Sequence, residues 1–147
     1  MQPSTFLVTF TSMVHFSRGE RHMYPKPTFH VDDYQIMCFG LKPKSPDVVP
    51  VLRALEDLDN KEDNANVAPN KCNEVACRDG AKITICSLNS NIPATPSWAK
   101  VVQMGQVTAR MCSVFDGTSQ IRAYGTAYTA VESELGEFQV TIGDKDC

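Results

Sequence analysis

A chain of 147 residues with 42% hydrophobic and 21% charged residues has the make-up of one globular domain, which excludes a disordered chain. Its net charge of -3 argues against a general nucleic-acid binder, whose affinity comes from neutralised phosphates. No apolar stretch reaches the length of a transmembrane helix, so no membrane span is expected.

Phe6 to Phe16 is a short apolar run without a preceding Lys or Arg and without a clean small-x-small site after it. It reads either as a signal peptide or as an N-terminal extension. Residues 17–33 are polar, contain Pro25 and Pro27, and read as a linker, so the division expected is 1–33 and a single domain over 34–147. Tyr34 to Leu41 predicts a strand with apolar residues on both faces, suited to a central position covered on both sides.

Pro43 and Pro46 break that strand, and Asp47 stands at an N-cap position. Val48, Val51, Leu52, Leu55 and Leu58 follow at helical spacing, predicting a helix over 48–59. Pro50 is tolerated at the third helical position, where its missing N–H has no partner to lose. Asn60 to Asn70 reads as a polar loop and the expected protease-sensitive point of the domain. Asp79-Gly80 then predicts a two-residue hairpin. That turn pairs Arg78 with Ala81, Val75 with Thr84 and Cys72 with Ser87, and sets Ile83 and Ile85 toward the helices.

A second helix is expected from Pro96 or Ser97 to about Val114, with Trp98, Val101, Val102, Gly105, Ala109 and Cys112 on one stripe. Gly105 and Ala109 would let it approach the sheet closely. Met104, Val107 and Met111 form an adjoining strip, read as buried core or, alternatively, as a surface for a partner. Asp116-Gly117 reads as the helix stop. Ile121–Tyr128 and Gly136–Ile142 read as the last two strands, the second alternating between a buried and a wet face. The order β-α-β-β-α-β-β predicts an α+β fold, two helices on one face of a mainly antiparallel sheet of ferredoxin-like type.

The six cysteines, Cys38, Cys72, Cys77, Cys86, Cys112 and Cys147, are separated by 34, 5, 9, 26 and 35 residues. No Cys-x-x-Cys occurs, and His15, His22 and His30 all precede the cluster, so the close ligand pairs of a zinc site are missing. Three disulfides and an oxidising compartment are the better account. A helix returning along the strand 81–88 carries Cys112 roughly 20 Å back toward the hairpin turn, which predicts Cys77–Cys112. Of the three pairings then left, Cys38–Cys86 with Cys72–Cys147 is the first choice, taking the first and third strands as neighbours.

Catalytic chemistry finds little to stand on. The three histidines all fall in the N-terminal segment before the domain, and there is no Gly-x-Ser-x-Gly and no phosphate-cradling glycine loop. Glu132 and Glu134 form a carboxylate pair of the kind glycoside hydrolysis uses, but with no aromatic sugar platform beside them. Like Glu56, Asp57, Asp59, Glu62 and Asp63 they read as a solvated face, and Arg18-Gly19-Glu20 carries no signal. No catalytic, metal or cofactor residue is assigned, and an enzyme is not expected.

Tyr34–Phe39, Cys72–Asn89, the helix ending in Cys112, Tyr124-Gly125-Thr126-Ala127, and Phe138–Ile142 with a final Cys147 together resemble the small cysteine-rich secreted proteins of filamentous ascomycete fungi. Many of these are candidate effectors. The layout is also similar to the α/β-sandwich killer toxins encoded by viruses of smut fungi. The resemblance implies a secreted, disulfide-stapled, extracellular domain, expected as a monomer. It would act without catalysis by binding a host or competitor component. An antimicrobial or killer-type toxin is the alternative, and a small secreted hydrolase the third reading.

Overall fold

The apolar stripe of the first helical segment produces α1, Val48–Asp59, in the computed structural model, which describes residues 28–31, 34–42, 45–118, 120–129 and 137–143. Val51, Ala54, Leu55 and Leu58 are buried, and each of the larger side chains contributes about 1.5–3 kcal/mol by leaving water. The second stripe produces α2, Trp98–Met111, whose first turn is capped by Ser97 Oγ accepting from the Lys100 amide at 3.3 Å.

The strands are β1 (Thr28–Val31), β2 (Tyr34–Cys38), β3 (Cys72–Arg78), β4 (Ala81–Ser87), β5 (Ser113–Phe115), β6 (Ile121–Ala123), β7 (Gly125–Thr129) and β8 (Phe138–Gly143). Six of them form an antiparallel sheet in the order β1-β2-β7-β8-β4-β3, and β5 with β6 makes a separate two-stranded ribbon. Both helices contribute to one core, where Leu55, Leu58, Val101 and Met104 meet Ile36, Ile83, Ile85, Phe138, Val140 and Ile142. The α+β class and the helix-bearing face agree with the sequence.

Several expectations change. Residues 28–31, read as linker, form β1 along the edge of β2. The strand over 34–41 ends at Cys38, and only Tyr34, Ile36 and Cys38 are buried, while Gln35 and Met37 are half-buried. Its second face is therefore only partly covered. It carries polar cross-strand pairs, Tyr128 Oη donating to Gln35 Oε1 at 2.6 Å and Thr126 meeting Thr141 at 2.9 Å. β2 and β4 are not neighbours, because β7 and β8 lie between them. This order departs from the ferredoxin-like expectation.

α2 stops at Met111, because 113–115 leave the helix to pair with 121–123. The single strand expected over 121–128 is correspondingly split at Tyr124 between the two sheets. Gly105 serves the other helix and not the sheet: a Cβ there would lie 2.5 Å from Leu55 Cδ2.

The disulfides correct all three expected pairings. The observed bridges are Cys38–Cys112 and Cys72–Cys86. The hairpin turn is as expected, with positive φ at Asp79 (48°) and Gly80 (81°) and Arg78 opposite Ala81. Val75, however, is an extra residue in a β-bulge, so Glu74 and not Val75 faces Thr84. The slip of one residue brings Cys72 opposite Cys86 instead of Ser87, with Cα atoms 4.0 Å apart. Cys72 is thereby unavailable to Cys147, and Cys86 to Cys38.

Cys112 stands at the expected level along the strands but on the wrong side of the sheet for Cys77. Cys38, Gly125, Ile142, Ile83 and Ala76 are aligned across the sheet by register. α1 packs against β3 and β4, which leaves β7, β8 and β2 to α2. At about 4.8 Å per strand, the β2 end of that row is roughly 19 Å from the β3 end. Cys112 therefore meets Cys38, and Gly125 beside it is obligatory in size, since a Cβ would sit 2.7 Å from Cys112 Sγ. Cys77 is also disulfide-bonded, and its partner lies outside the described residues. With four cysteines accounted for, a peptide map of the unreduced protein is expected to join Cys77 to Cys147. A Cys77–Cys112 peptide would overturn the packing of α2 over β7.

Candidate interaction surface

The antiparallel helices divide their connections between two ends of the molecule. α1 begins, and α2 ends, at the β5–β6 ribbon, where Asp47 forms a bridge with Arg122 and the Ala123 amide donates to the Pro46 carbonyl at 3.1 Å. α1 ends, and α2 begins, at the other, where Asn64 bridges to Ser97 and Lys61 Nζ stands 4.4 Å from the Trp98 ring centre.

The ribbon end groups Phe115, Ile121, Val49 and Val114, four of the large apolar side chains exposed among the described residues, whereas Leu88 and Ile92 are exposed on the loop after β4. Phe115 is 63% exposed and its cross-strand partner Ile121 49%. Val49, 54% exposed, stands across a groove of about 340 Å³ lined by Asp47, Val48, Val49, Pro50, Gln120 and Ile121. Val114, on the opposite face of the ribbon beside Arg122, is 49% exposed. Solvent-exposed apolar groups that cluster beside a groove are the kind of surface on which partners and ligands dock.

The ribbon is held from beneath by charge. Arg122 Nε lies 3.0 Å from Asp116 Oδ2 and 3.7 Å from Asp47 Oδ1, and its Nη2 donates to Gln120 Oε1 at 3.1 Å. Asp47, expected as an N-cap, makes no capping bond and is turned to this arginine instead. Asp116 Oδ1 also accepts from the Thr118 hydroxyl at 2.6 Å and the Thr118 amide at 2.8 Å, closing the tip with Gly117 at φ 82°. The Ser113 hydroxyl donates back to the Ala109 carbonyl, tying the ribbon to the last turn of α2.

These donors hold the Asp116 carboxyl below its ordinary value of 3.8, the Thr118 hydroxyl first, then the Thr118 and Gln120 amides and the Arg122 charge, against the opposing effect of burial. A depressed carboxyl pKa stabilises the fold above the unfolded value and loses that contribution as pH falls through the lower folded one. The tip is therefore expected to hold unchanged above 3.8 and to open below it. Amide resonances of Thr118 and Gln120 followed from about pH 5 to pH 2 should show this transition in the wild type and lose it in Asp116→Asn.

Comparison of the chain with protein-family models, curated proteins and solved structures gives no match.

The other residues singled out in the sequence divide. Met104 is fully buried, Val107 half-buried and Met111 39% exposed, so that strip is core at one end only. The loop 60–70 is irregular and exposed over 60–64, as expected, but it is anchored further on: Ala65 and Val67 are buried, and their amides donate to Pro96 and Ala94 carbonyls at 2.9 Å each. His15, His22, Glu132, Glu134 and the Arg18–Glu20 triplet lie outside the described residues. Among the described residues no group of three His, Cys, Asp or Glu could hold a metal, and no helix is long and apolar enough to cross a membrane.

Phe115 and Ile121 were not legible as a surface. Reading Asp116-Gly117 as a helix stop hid its second meaning, a turn flanked by Val-Phe and Ile, which is also a hairpin signal.

Proposed function

We propose that the chain is a secreted, effector-like protein that acts without catalysis, by binding a host or competitor component through the ribbon end. The reading takes its biological class from the fungal cysteine-rich proteins the chain resembles. The observation that carries the binding mode is the Phe115/Ile121 pair exposed on a ribbon that Arg122 clamps to two carboxylates. A rigid apolar projection loses little conformational entropy on binding, so its buried area converts more fully into affinity. The disulfides fit an oxidising compartment.

The test compares labelled wild type with Val49→Asp/Phe115→Asp for retention on intact plant and fungal cells. Both side chains are more than half exposed, so the double variant should melt within about 0.5 kcal/mol of wild type per site. Retention should fall at least about tenfold, equivalent to 1.4 kcal/mol or more. Retention equal to wild type would reject this surface, and six free thiols in the natively produced protein would reject the secreted assignment.

A further inference from the structure

We infer that the opposite end of the molecule is a binding site for a neutral oligosaccharide, seated in the cleft between the segment 61–67, the start of β3 and the first residue of α2. The cleft has a volume of about 490 Å³ and is lined by Lys61, Asn64, Asn66, Asn73, Glu74 and Trp98, with Ala65 and Val67 in its floor. That volume lies within the roughly 300–1,000 Å³ of small-molecule sites.

The chemistry of the lining selects the ligand class. Segment 64–67 is extended, with Ala65 and Val67 buried and Asn64 and Asn66 exposed, so period-two alternation sends both carboxamides outward on one side. The backbone bridges of Asn64 to Ser97 and of Val67 to Ala94 fix that presentation. Asn73 faces them from β3, its amide donating to the Asn66 carbonyl at 3.3 Å. Three carboxamides offer donors and acceptors together, which matches hydroxyl groups better than it matches an ion.

Charge does not compete for this assignment. Glu74 lies 3.6 Å from Lys82 Nζ and Lys61 Nζ lies 4.4 Å from the Trp98 ring centre, so the lining carries one anion and one cation, which balance and give an ionic ligand no net field to follow. The half-buried Trp98 indole supplies the apolar wall on which the C–H face of a pyranose can rest, once the Lys61 arm swings aside. Among polar solutes, a neutral sugar chain combines such a face with hydroxyls around its rim. The site lies at the far end of both helices from the ribbon, and it stands independently of the function proposed there.

Trp98 is the only tryptophan in the chain, so its emission reports on this cleft alone. The full-length oxidised protein would be titrated separately with cellotetraose, chitotetraose, laminaritetraose and mannotetraose. At least one is expected to change the emission saturably, half-saturating between about 0.1 and 10 mM. The side-chain amide resonances of Asn64, Asn66 and Asn73 should move with the same midpoint. Asn64→Ala and Asn66→Ala, both at exposed positions, are each expected to weaken binding about three- to tenfold with the melting curve unchanged. The inference is overturned if all four tetrasaccharides leave the emission unchanged to about 10 mM. Wild-type binding by both asparagine variants, or a response confined to a charged oligosaccharide such as an oligogalacturonide, would overturn it equally.

Discussion

Removing the Cys38–Cys112 bridge as Cys38→Ala/Cys112→Ala is expected to cost about 4 kcal/mol of stability and to lower the melting midpoint by roughly 10–20 °C. The bridge closes a loop of 74 residues, and chain-entropy stabilisation grows with the logarithm of that length. Cys72–Cys86 closes only 14 residues, across a hairpin whose own turn already restricts the unfolded chain. Cys72→Ala/Cys86→Ala should therefore cost less, at most about 3 kcal/mol. The two also differ in place. Cys38 and Cys112 are buried and join the end of a central strand to the C-cap of α2, whereas Cys72 is exposed on an edge strand. Urea unfolding of both variants under non-oxidising purification and non-reducing assay gives the comparison. An equal or larger loss for the hairpin bridge would show that loop length is not what governs these disulfides.

The second large effect belongs to the helix–helix contact. Leu55→Ala is expected to cost about 3 kcal/mol, since Leu55 is fully buried and the helix opposite has no side chain at Gly105 with which to refill the space. Gly105→Ala alone should also destabilise, by about 1–2 kcal/mol. Its Cβ would lie 2.5 Å from Leu55 Cδ2, and that overpacking exceeds the roughly 1 kcal/mol gained in helix propensity. On the Leu55→Ala background the clash is gone and the propensity gain remains. There Gly105→Ala should change sign and stabilise by about 1 kcal/mol. A double-mutant cycle measures this directly. Additive losses would mean that Gly105 is required for something other than its distance to Leu55.

Periodic segments of this chain were legible and lateral placement was not. The stripe from Val48 to Leu58 marked α1, and Ser97 marked the start of α2, because spacing and caps are local properties. Asp79-Gly80 likewise announced its turn through the backbone conformation it requires. The pairing of Cys72 depended instead on one extra residue at Val75, and a bulge leaves no mark in a run of Glu-Val-Ala. The pairing of Cys112 depended on which strands α2 covers, a choice made by the space α1 leaves and not by α2 itself. Segment 60–70 is the loop its polar residues announce, but its anchoring was hidden, because Ala65 and Val67 alone are too short a pattern to mark a buried stretch. Both surfaces proposed above lie where such non-local events occur, one at a ribbon hidden behind a helix stop and one beside that segment.

The strand order has a consequence for how the molecule comes into being. β8 is the most C-terminal described strand, yet it lies inside the sheet, between β7 and β4. The hairpin of β3 and β4 has no sheet to join on its inner side until residue 143 has been synthesised. β2 must likewise wait for β7, some ninety residues later in the sequence. Pairings of such sequence separation are slow to form and leave strand edges open meanwhile. The earlier strands therefore have little reason to settle as they emerge, and assembly of the sheet should be a late, concerted event that waits for β8. Early oxidation of Cys72 with Cys86, neighbours across a local hairpin, is a covalent step that can precede it.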